Sequence, residues 1–238
     1  MNSMMPLLQV VNISMSYGSV PAVRGASLTV NEKEVVLLLG ANGAGKTTLL
    51  KGIVGLMPAK EGSVVFDGKD LSNQATHVRI KAGLAYMSEV GIFSDLSIDA
   101  NLELGGYRLD KHERKARKRA IYDRLSLLAQ RKNECGGDLS GGQRKLLGLG
   151  KALMGNPKLL ILDEPSAGLA PAIVLEIIEL LKELRKSEET ALLIAEQNVR
   201  FLELANRGYI LGNGKVVRED EAASLRSSDV VEAEYFGG

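Results

Sequence analysis

Residues 40–47 read Gly40-Ala41-Asn42-Gly43-Ala44-Gly45-Lys46-Thr47, and this spacing matches the phosphate-loop pattern G-x-x-x-x-G-K-[ST]. The stretch lies between the apolar run Glu34-Val35-Val36-Leu37-Leu38-Leu39 and a helical run over residues 47–55. Strand, glycine loop and helix in that order point to an α/β fold with a largely parallel sheet. Glycines let successive backbone N–H groups turn inward around an anion, and the following helix adds its positive N-terminal end. Lys46 is placed to reach the β- and γ-phosphates of a nucleotide, and the Thr47 hydroxyl to ligate Mg²⁺. A glycine turn with no ligand is the plainer alternative, but spacing and context favour the phosphate loop.

The rest of the chain alternates in the same way. Residues 159–162 and 191–195 are short apolar runs of strand length, and Ser63-Val64-Val65-Phe66 leads into the turn pair Asp67-Gly68. Tyr209-Ile210-Leu211, Asn213-Gly214 and Val216-Val217 suggest a terminal hairpin. Ile173, Ile177, Leu180, Leu181 and Leu184 fall on one helical face. Between about residues 97 and 155 the strand signal disappears and two or three helices fit better, so this section reads as a helical insertion. The expected organisation is one nucleotide-binding domain over residues 1–238, with a core of about 1–96 and 156–238 and a helical subdomain of about 97–155.

Bulk properties narrow the function classes. A hydrophobic content of 45% with 25% charged residues fits a soluble folded protein, and a net charge of +1 gives no global drive toward nucleic acid or anionic lipid. The basic stretch over residues 110–119 has no interleaved aromatic for base stacking. It reads instead as a solvated helix face continuing into Ile121, Leu125 and Leu128, and no nucleic-acid partner is expected. The single Cys135 suits a reducing compartment, and no apolar run approaches a bilayer span. Residues 1–11 lack a signal-like core, so the expected location is cytosolic, with another chain holding the protein at any membrane.

Two further motifs carry chemistry. In Leu159-Leu160-Ile161-Leu162-Asp163-Glu164-Pro165 a buried strand runs into two carboxylates, which are costly to bury unless positive charge meets them. Beside a phosphate loop, Asp163 can meet a nucleotide-bound Mg²⁺, and Glu164 can orient and polarise the water that attacks the γ-phosphate. An acid pair capping a helix before Pro165 is the alternative. Leu139-Ser140-Gly141-Gly142-Gln143 forms a second anion cradle at a helix start. One nucleotide rarely needs two cradles from one chain, so a second subunit could supply this one across a shared site.

On these motifs the sequence resembles the ATP-binding subunits of ABC transporters over nearly its whole length. Residues 40–48, ending in Thr48, look like Walker A, residues 139–143 like the signature motif, and residues 159–164 like Walker B with its catalytic glutamate. The resemblance implies a P-loop α/β core with a mostly parallel sheet, an N-terminal antiparallel β part and an inserted helical subdomain. It also implies a head-to-tail dimer, with the same or a sister chain, that sandwiches two ATPs with Mg²⁺. Each ATP would lie between one subunit's Walker A and the other's signature motif. Tyr17 matches the aromatic that stacks on adenine; a strand tyrosine filling core space is the alternative. The implied partners are integral membrane permease subunits and, indirectly, a periplasmic or extracellular substrate-binding protein. The implied location is peripheral, at the cytoplasmic face of the membrane.

Ala195-Glu196-Gln197-Asn198 and Gly168-Leu169-Ala170-Pro171 resemble the shorter ATP-binding subunit of branched-chain amino acid importers, as does the ending Glu234-Tyr235-Phe236-Gly237-Gly238. Urea and amide importers and lipid or lipopolysaccharide exporters share the core motifs. Soluble ABC-type proteins of translation or DNA maintenance usually add a second cassette or long coiled coils, which this chain lacks. Against the wider family pattern, Gln197 replaces the switch histidine, and Glu89 stands at the metal-binding glutamine position of the lid loop. Ala170 replaces the aspartate of the loop after Walker B, and Val90-Gly91-Ile92-Phe93 lacks an Arg-rich lid. Glutamine donates a hydrogen bond to phosphate but takes up no proton.

Overall fold

A computed structural model describes residues 5–88, 91–187 and 190–227. At the N-terminus β1 (Leu8–Tyr17) and β2 (Val20–Val30) pair antiparallel. The apolar run before the glycine loop forms β3 (Val35–Leu39), buried at every position, and the loop opens directly into α1 (Lys46–Val54). There follow β4 (Glu61–Phe66), β5 (Lys69–Asp70), α2 (Thr76–Ala82) and β6 (Leu84–Met87). The next section holds α3 (Ile98–Gly105), α4 (Lys111–Arg124), α5 (Ser126–Gln130) and α6 (Gly141–Leu153). The chain returns to the sheet through β7 (Leu159–Asp163), α7 (Pro171–Ser187) and β8 (Ala191–Glu196). It closes with the hairpin β9 (Arg207–Gly212) and β10 (Lys215–Glu221), then α8 (Ala222–Arg226).

The six-stranded central sheet has the order β10-β9-β3-β8-β7-β6; its pairs from β9 to β6 are parallel and β10 is antiparallel at the edge. A second, four-stranded sheet, β2-β1-β4-β5, is antiparallel. This is the P-loop α/β architecture with the expected antiparallel part. Side chains of the central strands alternate between two buried cores. Val35, Leu37, Leu39, Leu160 and Leu162 join α6, α7 and the helices of residues 97–153, whereas Val36, Leu38, Leu159 and Ile161 join α1 and the antiparallel sheet.

Four α-helices fill residues 97–153, not two or three. Leu125 leaves helical geometry at φ −113° and ψ 66°, separating α5, whose five residues are too few to show a helical period. Asp110 closes a capping box with Glu113 at the start of α4, and the basic stretch lies along this helix. Not all of it is solvated. Lys118 turns inward to Asp99 (2.9 Å) and Glu103 (2.5 Å) of α3, and the Tyr122 hydroxyl donates to Asp99 (2.7 Å).

The phosphate-loop helix is held from behind. Arg79 of α2, only 4% exposed, donates 2.8 Å hydrogen bonds to the carbonyls of Gly52 and Ile53 at the end of α1. The Gly52 carbonyl also accepts from the Gly55 N–H at 3.2 Å, and the guanidinium adds a cation at the negative end of the helix. Among the described residues no helix is long and apolar enough to cross a membrane.

Candidate functional site

The loops after β3, β7 and β8 meet at the carboxyl ends of the parallel strands, where open α/β sheets bind ligands. Gly45 occupies the N-cap of α1 at φ 105°, and a Cβ there would lie 2.6 Å from the Ala22 carbonyl oxygen. Only glycine fits that conformation in that space. No side chain caps α1 and no acid lies in its first turn, so its N-terminal dipole remains open to an anion. Gly40 is buried beneath the loop, while Ala41, Asn42 and Gly43 are exposed and Ala44 is buried. A cavity of about 350 Å³ borders Gly40, Ala41, Asn42, Gly43 and Ala44.

Lys46, 3% exposed, donates to the carbonyls of Gly40 (2.7 Å) and Ala41 (3.1 Å) and pairs with Glu164 Oε1 at 3.1 Å. The Thr47 hydroxyl donates to Asp163 Oδ1 at 2.9 Å, and the Tyr86 hydroxyl donates to Asp163 Oδ2 at 2.7 Å. Burial raises the Asp163 carboxyl above the ordinary carboxylate range, although these two hydrogen bonds pull it down. Burial, then the bond to Asp163, pushes the Tyr86 phenol upward, so it stays a proton donor. Glu164 adopts φ 49°, which turns it out of the strand; its N–H donates to the Ala195 carbonyl and its own carbonyl accepts from the buried Lys145 at 2.9 Å. Tyr17 is 55% exposed rather than part of the core, and its hydroxyl lies 3.4 Å from Thr48 Oγ1 at the start of α1.

Gln197 follows β8 directly and is exposed. It shares a cavity of about 410 Å³ with Asn42, Glu164, Ser166 and Glu196. Ser140 and Gln143 form a reciprocal capping box at the entry of α6: Gln143 N–H donates to Ser140 Oγ, and Ser140 N–H to Gln143 Oε1. Gly141 is exposed, and Gly142 is pressed on α7, where a Cβ would meet Ile173 Cγ2 at 2.5 Å. Among the described residues no hydrogen bond joins residues 140–143 to the phosphate loop of the same chain. Glu89 and the ending at residues 234–238 lie outside the described residues. Sequence reasoning missed Tyr86, Lys145 and the role of Glu196, because each reaches the site through a contact distant along the chain.

A groove of about 430 Å³ opens beside β6, lined by Ile80, Tyr86, Ile92, Phe93, Leu104 and Lys151 among others. Lys151 sits 4.3 Å from the Phe93 ring centroid and donates to the Gly91 carbonyl at 3.1 Å; burial lowers its pKa from the ordinary lysine value.

The profile described as "ABC transporter" matches residues 23–167. The chain is 36% identical to the high-affinity branched-chain amino acid transport ATP-binding protein BraG of Pseudomonas aeruginosa, over 98% of this chain and 100% of that relative. The chain belongs to the ABC transporter family. It is likewise 36% identical to the lipopolysaccharide export system ATP-binding protein LptB of Haemophilus influenzae, over 98% of each chain. Among solved structures, the ADP conformation of MJ1267, an ATP-binding cassette of an ABC transporter, superposes with a TM-score of 0.86 at 29% identity, covering 99% of this chain and 100% of that one. This ABC transporter chain is the ATP-binding, ATP-hydrolysing subunit of a transporter.

Proposed function

We propose that this chain is the ATP-driven motor of an importer for branched-chain amino acids, working as a single ATP-binding unit paired with a second such subunit on a membrane permease. The observation that carries the reading is the gathering of Lys46, Asp163, Glu164 and Gln197 at one end of the central sheet. In this reading the N–H groups of residues 40–48 and the Lys46 ammonium hold the ATP phosphates, and Tyr17 covers the adenine. Thr47 and Asp163 place hydroxyl and carboxylate oxygens 2.9 Å apart, a donor set that suits Mg²⁺, with Glu89 as a further oxygen ligand. Bound there, the metal neutralises charge on the β- and γ-phosphates. Glu164 orients and polarises the attacking water, and Gln197 donates to the γ-phosphate. Ser140, Gly141, Gly142 and Gln143 serve the ATP of the paired subunit.

Closure of the pair is passed to the permease through the groove beside β6, where Phe93, Leu104 and Tyr107 are exposed. That assembly holds the chain at the cytoplasmic face of the membrane and couples it indirectly to a substrate-binding protein. The amino acid substrate rests on the likeness to BraG together with Gln197 and Leu169-Ala170-Pro171. The equal identity to LptB supports lipopolysaccharide export as a second reading. Uptake of labelled leucine, isoleucine and valine in a strain lacking this chain separates them. Loss of uptake, restored by the wild-type chain but not by Glu164→Gln, supports the importer. Unchanged uptake with lipopolysaccharide held at the inner membrane replaces it with the exporter.

A further inference from the structure

β8 runs between the phosphate-loop strand and the Asp163 strand: Leu39 is in register with Glu196, and Asp163 with Ala195. Glu196 is the last residue of β8 and only 2% exposed. A carboxylate so deep is costly unless its oxygens are satisfied. Among the described residues they are satisfied by backbone N–H groups and by no cation. Oε1 accepts from Ser166 at 2.7 Å, and Oε2 accepts from Gln197 at 3.0 Å and Asn198 at 3.1 Å. Its two oxygens thus face two different loops, one carrying Glu164 and the other carrying Gln197.

We propose that Glu196 is a positioning residue for hydrolysis, whose carboxylate clamps the loop after Glu164 to the switch loop and so fixes Gln197 relative to Glu164. The inference rests on the roles given above to those two side chains. The Ser166 end of the clamp lies within the turn that sets Glu164, since Ala167 N–H donates to the Glu164 carbonyl at 3.2 Å. Glu164 is itself tied to β8 through the Ala195 carbonyl at 2.9 Å. An acceptor-only group is required, because an amide in the same place turns its NH₂ toward one set of backbone donors. Charge-assisted bonds of this kind are among the stronger ones a protein makes, so the clamp holds both loops against the pull of a bound phosphate.

The test compares full-length wild type with Glu196→Gln, Glu196→Asp and Glu164→Gln, measuring ADP affinity, kcat and KM for ATP. Small misplacement of reacting groups costs up to about 100-fold in rate, so Glu196→Gln should lower kcat about 10- to 100-fold per nucleotide-binding site. ADP affinity and KM should stay within about twofold, since the phosphate loop is not touched, and Glu196→Asp should recover part of the rate by restoring an acceptor-only group. A kcat within about twofold of wild type for Glu196→Gln overturns the clamp, provided Glu164→Gln is slow. A fast Glu164→Gln instead overturns the catalytic reading beneath it. Hydrogen exchange on the wild-type chain needs no variant to fold: the amides of residues 166, 197 and 198 should be protected. Exchange of all of them at free-peptide rates overturns the proposal outright.

Discussion

At the scale of residues, the proposed function divides binding from chemistry between two side chains that touch. Lys46 and Glu164 are paired at 3.1 Å, yet one opens the helix after β3 and the other follows β7. Removing a general base typically costs about 10²- to 10⁴-fold in rate, so Glu164→Gln should bind ATP normally and hydrolyse it that much more slowly. Turnover near wild type in a phosphate-release assay refutes the assignment. Lys46→Ala removes charge-assisted bonds worth about 1.5–3 kcal/mol, and ADP affinity measured by calorimetry should fall roughly 10- to 100-fold. Both residues were legible in the sequence, because phosphate loops and strand-end acid pairs are local patterns. Tyr86 and Glu196 were not. Tyr86 meets Asp163 across 77 positions and Glu196 meets Ser166 across 30, and no local spacing encodes such pairs.

At the scale of elements, the buried parallel strands were readable, since runs such as residues 35–39 and 159–162 are apolar throughout, whereas β1, β2, β5 and β6 were not located. Helices α2, α5 and α8 were missed: seven, five and five residues span too few turns for an apolar period to emerge. The inward turn of Lys118 was hidden as well, because a basic run looks alike whether its members face water or a neighbouring helix. That lysine now explains how α4 is held on α3. Against the upward push of burial, hydrogen bonds from Tyr122 and Lys118 keep the Asp99 carboxyl below its ordinary range. The bond from Lys118 does the same for Glu103, and both acids in turn raise the Lys118 pKa against burial. Depressed carboxylates stabilise the fold above their unfolded pKa values, about 4, and that contribution is lost as pH falls through the lower folded values. A raised lysine contributes fully below about pH 10 and loses its share above its folded value. Lys118→Met should therefore cost about 0.5–1 kcal/mol in urea unfolding at pH 7 and almost nothing near pH 3, with a smaller cost in high salt. A cost independent of pH refutes the ion-pair account.

At the scale of the whole molecule, the residues matching the signature motif lie at the entry of α6 while the phosphate loop lies after β3, and no hydrogen bond among the described residues joins them within one chain. A site shared between two chains makes a prediction that one chain alone cannot meet. Gly141 is exposed at the first position of α6, so Gly141→Asp leaves the helix start well served while placing a negative charge against the partner's triphosphate. Lys46→Ala and Gly141→Asp should each be inactive alone, and mixing them should restore hydrolysis, because one of the two composite sites is then intact. No recovery in the mixture refutes the shared site. The central sheet adds a thermal consequence. Its strands belong to two cores at once, and the helices of residues 97–153 cover the same sheet face as α7. Helix α6 packs on β6, where Gly148 lies against Met87, so melting those helices alone would expose the buried Met87 to water, at roughly 1.5–3 kcal/mol for such a side chain. Calorimetry should accordingly record one endotherm, its measured enthalpy equal to the van't Hoff value, with the inserted helices and the nucleotide core melting together.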